Sequence, residues 1–326
     1  MNVFVLVLSL TQAFAGPICR SLALEGGGSW GAYESGVIWA ITNLTNPSDI
    51  TWNAVSGISV GSINAGGLAQ FPMGKEKGAA DFLLSIWRSV NSSSDIYKEW
   101  DGGLAAGLLF HSGVYNTAPL QVFLRNHFLY PISRNFTLGS TNFDTGLFST
   151  FNESVGSAAV DAVVCSASPP PVFPPHQFEG YTWADGGCVM NLDVSSAVER
   201  CLQITEEENI ITDMILDSPY APLPNETSFK TKDVFSRVKE ISSYDGSVWY
   251  TYNAFKAFPK VYFRYLITPA QPMPGGRIPL NFTPSVLEAE IQLGINDTVN
   301  YFKSPRQART IIEELYNSNK EKVVYP

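Results

Sequence analysis

The chain has 326 residues, and 45% of them are hydrophobic, which excludes an intrinsically disordered protein. Its formal net charge is −9, and its 21 Lys and Arg residues are scattered along the sequence. Because a nucleic-acid-binding protein needs a concentrated basic face, nucleic acid is excluded from the expected partners.

The first fifteen residues have the pattern of a secretory signal peptide. An apolar run from Val3 to Leu10 precedes Ala13-Phe14-Ala15, the small-x-small pattern of a signal-peptidase site, and we predict cleavage after Ala15. The alternative is a buried first strand, because no Lys or Arg precedes the apolar run. A membrane-spanning helix needs about 20 apolar residues, and no segment comes close. We therefore expect a secreted or lumenal protein, lysosome and vacuole included, without a transmembrane segment.

Sequons and cysteines fit the same compartment. Four cysteines can form two disulfides in three pairings, and the sequence does not choose among them. Their spacing does not match a zinc site, and we predict neither a metal nor a cofactor. N-glycans are expected at seven Asn-x-Ser/Thr sequons, which are Asn43, Asn91, Asn135, Asn152, Asn225, Asn281 and Asn296.

Two strand–turn–helix units follow the signal peptide. The first has a strand over 21–24, a glycine-rich turn, and a helix whose apolar stripe includes Tyr33 and Leu44. The second has a strand over 53–56 and a helix that continues through Leu68. Such units predict parallel strands covered by helices.

The remainder of the chain continues the alternation. We interpret residues 91–150 as an irregular insertion, and the Pro-rich stretch 168–175 as a rigid loop rather than a linker. The predicted fold class is α/β, a single domain over 16–326 with a mostly parallel central sheet and helices on both faces. Further strands are predicted over 161–166, 181–184, 212–217 and 260–267, and closing helices over 285–302 and 305–317.

Gly57-Ile58-Ser59-Val60-Gly61 is a Gly-x-Ser-x-Gly sequence between a predicted strand and a predicted helix. A nucleophilic serine in this context stands on a sharp, strained turn, and the two glycines let strand and helix approach closely. The alternative is a tight turn with an incidental serine. The context favours Ser59 as a nucleophile.

A serine nucleophile needs a base, and the histidines do not supply a standard triad. His111, His127 and His176 all precede the last predicted strands, and no histidine lies near the C-terminus. A partly buried carboxylate can take the proton instead. Asp-Gly-Gly occurs at Asp101 and at Asp185, and only Asp185 ends an apolar strand, which favours Asp185; for either, the alternative is a simple turn.

The glycine turn near the N-terminus has two interpretations. Gly26, Gly28 and Gly31 match Gly-x-Gly-x-x-Gly, which binds dinucleotides in some α/β proteins. That function needs an acidic residue at the end of the second strand, but Asp49 precedes this strand. The backbone amides of Gly26, Gly27 and Gly28 are therefore interpreted as an oxyanion hole, where each donor typically contributes about 3 to 4 kcal/mol to the transition state.

Three motifs in order, GGGSWG, GISVG and DGG, resemble the patatin-like phospholipase family. SASPPPVFPP is similar to the Ser-x-x-Pro loop of that family, so the resemblance covers about residues 20–200. It implies a three-layer patatin-like fold and a calcium-independent lipid acyl hydrolase. By the same resemblance Ser59 is the nucleophile, Asp185 is the base of a Ser-Asp dyad, and Gly26 to Gly28 form the oxyanion hole.

The resemblance also marks supporting residues and departures. The supporting glycines are Gly31, Gly57, Gly61, Gly186 and Gly187. Trp30 replaces the Arg or Lys that is common in the family, and Glu25 replaces a frequent Asp. Loss of the cation leaves the choice between phospholipids and neutral lipids open.

The expected activity is release of a fatty acid through an acyl-serine intermediate, of the phospholipase A or lysophospholipase type. The expected partner is a lipid substrate at a membrane or micelle surface. The alternatives are a transacylase with the same dyad, a catalytically silent lipid-binding or storage glycoprotein, and a dinucleotide-dependent oxidoreductase. An aromatic segment over 248–258 is interpreted as core packing rather than as an interfacial lip.

Overall fold

The computed structural model describes residues 16–218 and 230–321, so the predicted signal peptide lies outside the described residues. The described strands are β1 (Cys19–Leu24), β2 (Ala54–Ile58), β3 (Asn135–Asn142), β4 (Phe148–Asn152), β5 (His176–Phe178), β6 (Tyr181–Asp185), β7 (Ile210–Ile215) and β8 (Tyr262–Ile267). The described helices are α1 (Gly31–Leu44), α2 (Val60–Ala69), α3 (Glu76–Arg88), α4 (Gly103–Phe110), α5 (Ala118–His127), α6 (Ala159–Ser166), α7 (Val194–Leu202), α8 (Thr231–Ala257), α9 (Pro284–Lys303) and α10 (Ala308–Glu321).

The described strands form a single mixed sheet. Neighbours in the series β5-β6-β3-β2-β1-β7-β8 are hydrogen-bonded, β2 and β6 pair with successive parts of the same edge of β3, and β4 pairs with its other edge. The central neighbours β3, β2, β1, β7 and β8 are parallel, whereas β4 and β6 are antiparallel to β3 and β5 is antiparallel to β6. The expected mostly parallel central sheet is confirmed.

Helices cover both faces of this sheet. Alternation along β1 directs Leu22 and Leu24 into one apolar cluster, which includes side chains of α1, α2, α3 and α9. Ala23 of the same strand lies in a second cluster with side chains of α7, α8 and α10. The three-layer α/β fold is therefore confirmed. In the aromatic segment of α8, Val248 and Phe255 are buried, as expected for core packing, and Trp249 is exposed.

Two predictions for the middle of the chain are wrong. Residues 161–166 belong to helix α6 rather than to a strand, because a short run of Ala, Val and Cys packs equally well in a helix buried on all sides. The stretch 91–150 is not irregular, since it contains helices α4 and α5 and the hairpin of β3 and β4. Strand β3, with the sequence NFTLGSTN, lies within the sheet although five of its eight residues are polar.

One disulfide connects strand β1 to helix α7. Cys19 and Cys201 are bonded across 182 residues of sequence. Cys165 is a buried thiol in α6, and burial raises its pKa. The Cys19–Cys201 bridge occurs in one of the three pairings that the sequence allows.

The sequons are distributed over the surface of the described residues. Asn43, Asn91 and Asn296 have exposed side chains, and those of Asn135, Asn152 and Asn281 are half-buried. Asn225 lies outside the described residues. Among the described helices, none is long and apolar enough to span a bilayer.

Candidate active site

The sheet topology brings the ends of β2 and β6 together. Ile58, the last residue of β2, pairs with Gly139 of β3, and Asp185, the last residue of β6, pairs with Ser140. Both β3 residues pair with β4 on their other edge, so β2 and β6 share the remaining edge. Because these two strands run in opposite directions, their carboxyl ends meet head-on, and Ser59 directly follows Ile58. Strand β6 is antiparallel to β3, so it is one of the exceptions in the mostly parallel sheet.

The turn at Ser59 is strained. Ser59 has φ 52° and ψ −121°, a conformation that residues with a Cβ rarely adopt. A Cβ at Gly57 would lie 2.1 Å from the carbonyl oxygen of Gly61, and a Cβ at Gly61 would lie 2.6 Å from that of Glu25. Both glycines are therefore required by close approach of backbone, as the Gly-x-Ser-x-Gly motif predicts.

Ser166 fixes the strained turn from the end of α6. The Ser59 amide donates to Ser166 Oγ at 3.0 Å, and this hydroxyl donates to the Gly139 carbonyl at 2.6 Å. Two residues on, the Ser168 carbonyl accepts from the Asp185 amide at 2.9 Å. The sequence contained the signal as the Ser-x-x-Pro resemblance at 166–169, but it assigned no role to the serines. They hold both turns of the candidate site.

Asp185 is buried at the start of a short 3₁₀ turn over Gly186–Cys188. Its Oδ1 accepts from the Gly187 amide at 2.7 Å, and its backbone carbonyl accepts from Thr141 Oγ1 at 2.9 Å. A Cβ at Gly186 would lie 2.5 Å from the Gly139 carbonyl oxygen, and a Cβ at Gly187 would lie 2.9 Å from Asp185 Oδ1. Gly186 therefore allows the turn to pack on β3, and Gly187 leaves room for the Asp185 carboxyl group.

Asn191 links the two glycine turns, and no sequence motif marks it. Its Nδ2 donates to the Gly26 carbonyl at 2.7 Å, and its own carbonyl accepts from the Gly26 amide at 3.0 Å. Asn191 Oδ1 lies 2.6 Å from the position of a Cβ at Gly26 and 2.8 Å from that at Gly187. A Cβ at Gly26 would also lie 2.9 Å from Ser59 Cβ, so the N-terminal turn packs directly on the serine.

The three amides predicted for the oxyanion hole differ in their hydrogen bonds. The Gly26 amide is engaged with Asn191, as described above. Within the described residues, the amides of Gly27 and Gly28 have no protein acceptor. Gly28 has φ 57°, and a Cβ there would lie 2.2 Å from the Pro279 carbonyl oxygen. The turn therefore offers Gly27 and Gly28 as donors for an oxyanion.

A group of buried carboxyl groups lies behind the glycine turn. Its members, the acidic group, are Glu25, Glu34, Asp217 and Glu290, all of them fully buried. Asp217 Oδ2 lies 2.3 Å from the position of a Cβ at Gly27, and neither of its carboxyl oxygens has a hydrogen bond among the described residues. Burial raises the pKa of Asp217 well above its usual range, and the three neighbouring carboxyl groups raise it further. The protonated form is therefore favoured.

Glu25 holds the segment that follows β7 against the turn. Its Oε2 accepts from the amides of Asp217 and Ser218 at 2.8 and 3.0 Å, and its Oε1 accepts from the Ser247 hydroxyl. Burial raises the pKa of Glu25, and these hydrogen bonds lower it. Among the described residues, no group of three or more His, Cys, Asp or Glu side chains is arranged to hold a metal ion.

The family model of patatin-like phospholipases matches residues 22–198, more than half of the chain. The chain belongs to the patatin-like phospholipase family. Membership supports a lipid hydrolase in general terms. No match was found among curated proteins.

Two solved structures are similar to this patatin-like phospholipase. VipD from Legionella pneumophila has a TM-score of 0.36 and 12% identity over 86% of this chain and 67% of VipD. A complex of full-length ExoU with SpcU from Pseudomonas aeruginosa has a TM-score of 0.34 and 12% identity over 95% of this chain. This chain covers 53% of the matched chain in that complex. TM-scores this low carry no argument, so the family assignment rests on the match to the family model.

The other predicted candidates of this patatin-like phospholipase lie elsewhere. His111 stacks on Trp100, His127 contacts Ser89, and His176 lies 3.3 Å from Asp161, so in the described chain none of the three is bonded to Ser59. Asp101 is exposed in a turn before α4. Trp30, where the family commonly has a cation, is half-buried against the apolar cluster of α1.

Proposed function

We propose that this patatin-like phospholipase hydrolyses acyl esters of lipids through an acyl-serine intermediate, with Ser59 as nucleophile and Asp185 as base. The observation that carries the proposal is the meeting of β2 and β6 on one edge of β3, because it puts the residue after Ile58 next to the last residue of β6. The strained conformation of Ser59 supports it, since strain of this kind is typical of serine nucleophiles on a strand-to-helix turn.

The proposed reaction has two steps. The Asp185 carboxylate takes the proton of Ser59 Oγ, which attacks the acyl carbon, and the proton then passes to the leaving alcohol. Water, deprotonated by the same carboxylate, attacks the acyl-serine; the acyl–Oγ bond breaks, the proton passes back to Ser59 Oγ, and the fatty acid is released. In both steps the amides of Gly27 and Gly28, together with the helix N-terminus that follows Ser59, stabilise the negative carbonyl oxygen.

The test is fatty-acid release from phosphatidylcholine, lysophosphatidylcholine and triacylglycerol. We expect Ser59→Ala to lower the rate about a thousandfold or more, and Asp185→Asn to lower it about a hundredfold to ten-thousandfold. Asp101→Asn is the matched control, because it makes the same change in the other Asp-Gly-Gly, and it should leave the rate unchanged. Equal losses in Asp185→Asn and Asp101→Asn, or an active Ser59→Ala, would contradict the proposal.

Two further measurements separate the alternatives. A transacylase would transfer the acyl group to an added alcohol in preference to water, which product analysis detects. A catalytically silent lipid-binding protein would leave Ser59 unlabelled by a fluorophosphonate, whereas the proposed nucleophile is labelled in wild type and not in Ser59→Ala.

We also propose that the protein enters the secretory pathway. The Cys19–Cys201 disulfide and the exposed side chains of Asn43, Asn91 and Asn296 support this location. Protein from a eukaryotic secretory host should begin at Gly16 and lose mass on treatment with an N-glycosidase. An unprocessed, unglycosylated chain would contradict the proposal.

A further inference from the structure

A closed loop projects from the molecule between Lys98 and Asn116. The two residues exchange both backbone hydrogen bonds, at 3.0 and 2.8 Å. Inside this bridge the Trp100 indole donates to the Gly113 carbonyl at 3.0 Å, and its ring stacks on His111 at 3.8 Å. The loop therefore has a fixed base, and helix α4 forms its outer part.

Helix α4, with the sequence GLAAGLLF, has no polar side chain, and its large residues face solvent. Leu108, Leu109 and Phe110 are 67%, 73% and 80% exposed. At 3.6 residues per turn, the exposed side chains of α4 extend around more than half of the helix circumference. Only Gly107 of this helix is buried, close to the Val114 carbonyl.

The loop is attached to the segment that leads to Asp185. Val114 and Tyr115 donate from their amides to the carbonyls of Pro171 and Val172, at 2.9 and 3.0 Å. Pro171 and Val172 belong to the Pro-rich loop 168–175. Its first residue is Ser168, whose carbonyl accepts from the Asp185 amide. The exposed helix therefore belongs to the same end of the sheet as the candidate active site.

We propose that α4 inserts into the lipid surface that presents the substrate, an inference that rests on the proposed function. A groove in a protein partner, or in a second copy of this chain, covers one stripe along a helix, about 100° of its circumference. A lipid phase can contact the helix around most of its circumference. An apolar helix exposed around most of its circumference therefore fits lipid better.

Charge at the loop selects the kind of lipid surface. Residues 99–113 contain no Lys or Arg, and the exposed Glu99 and Asp101 precede the helix. Anionic headgroups attract basic residues near an inserted helix, but here the nearest Lys or Arg along the chain is Lys98 at the base of the loop, next to Glu99. The preferred surface is therefore zwitterionic or neutral.

The experiment measures binding to phosphatidylcholine vesicles in the Ser59→Ala background, so hydrolysis plays no part. Burial of one large apolar side chain strengthens binding roughly tenfold or more. We expect the triple change Leu108→Ser, Leu109→Ser and Phe110→Ser to weaken vesicle binding at least about a hundredfold. Adding phosphatidylserine to the vesicles should weaken binding of the parent.

Three controls keep the result specific. Leu44→Ser alters an exposed leucine at the far end of α1, and should bind vesicles like the parent. With Ser59 intact, the triple variant should hydrolyse a soluble short-chain ester, p-nitrophenyl butyrate, within about twofold of wild type. Phe110→Trp keeps an apolar ring and should retain binding, with a blue shift of its added fluorescence on vesicles.

Three outcomes would overturn the inference. The first is vesicle binding by the triple variant equal to the parent. The second is preference for anionic vesicles. The third is a wild-type dimer that the triple change converts to a monomer without altering vesicle binding, which would assign α4 to a second copy. Absence of ester hydrolysis in wild type would contradict the proposed function instead, and vesicle binding would still be measurable.

Discussion

The segment that matches the family and the segment that follows it contribute differently to the candidate site. Residues 22–198 contain Ser59, Asp185 and the glycine turn. Residues beyond 198 contain none of the proposed reacting groups, yet Asp217 lies against Gly27 and Pro279 lies against Gly28. The first segment therefore contains the residues of the proposed chemistry, and the second contacts the glycine turn from the other side.

The contacts on the glycines differ in whether the neighbouring atoms can move aside. Within the first segment, backbone packs on backbone, as where Gly61 meets the carbonyls of Leu24 and Glu25. The second segment contacts Gly28 through the backbone carbonyl of Pro279, but it contacts Gly27 through the side chain of Asp217. A side chain can be removed by substitution and a backbone carbonyl cannot, so the two contacts can be separated by experiment.

Gly61→Ala should have the largest effect. Its Cβ would lie 2.6 and 2.7 Å from two backbone carbonyl oxygens, and the strand and helix would have to separate. We expect a loss of about 3 kcal/mol or more in the free energy of unfolding, together with loss of activity. Urea denaturation measures the first and ester hydrolysis the second.

Gly246→Ala is the matched control for that change. Gly246 lies within α8, and a Cβ there would meet nothing within 4 Å. Because alanine is the better helix former, we expect a gain of roughly 0.5–1 kcal/mol and unchanged activity. A Gly61→Ala protein as stable as wild type would show that the fold does not depend on close backbone contact at the serine turn.

Gly27→Ala should come next, and it should be reversible. All three of the nearest atoms to its Cβ belong to the Asp217 side chain, the closest at 2.3 Å. We expect displacement of the turn to lower kcat/KM about a hundredfold, comparable to loss of one oxyanion donor. Adding Asp217→Gly removes the obstructing atoms and should recover at least about tenfold of that loss. A double variant no more active than Gly27→Ala would mean that Asp217 does not set the position of the turn.

Local sequence pattern decided which parts of the fold could be predicted. Strands β1, β2, β6, β7 and β8 are short apolar runs followed by turn residues, and their prediction needed only local pattern. Strand β3 was missed because Thr137, Ser140 and Thr141 are polar and yet buried, so its alternation does not mark a buried face. Helix α6 was mistaken for a strand because a short, mostly apolar run is as compatible with a buried helix as with a buried strand.

For the site, predictability depended on whether a residue belongs to a local motif. Ser59 and Asp185 stand in short glycine-containing sequences, so both could be proposed before their positions were known. Asn191 and Asp217 act through partners more than a hundred residues away along the chain, at Gly26 and Gly27, and no motif surrounds either one. Such contacts exist only once the sheet has formed.

Glu290 allows a smaller, pH-dependent test of the second segment. Burial raises the pKa of Glu290 to about 9 from 4.5, and a hydrogen bond from Ser29 lowers it. The folded protein therefore keeps this proton between these two values while the unfolded chain loses it. The resulting stability is fully present below about pH 4.5 and is lost as the pH rises towards 9.

Glu290→Gln removes this proton equilibrium. We expect the variant to be more stable than wild type at pH 6.0, on the order of 2 kcal/mol, with the difference vanishing near pH 4.5. Urea denaturation at the two pH values measures it. A difference independent of pH would mean that Glu290 does not retain its proton in the folded protein.

Arg88 and Glu288 join the two segments at the surface, and this contact should matter least. Arg88 on α3 donates to both carboxylate oxygens of Glu288 on α9, at 2.9 and 3.0 Å, but the side chains are 48% and 43% exposed. The ion pair lowers the pKa of Glu288, so its contribution is present above the usual pKa and is lost as the pH falls through the lowered value. Because solvent screens exposed charges, we expect Arg88→Gln to cost less than about 1 kcal/mol at neutral pH. Thermal unfolding should show a shift that disappears in high salt, with unchanged ester hydrolysis. A larger loss that salt does not reduce would mean that surface charge, and not the buried contacts behind the glycine turn, couples the second segment to the first.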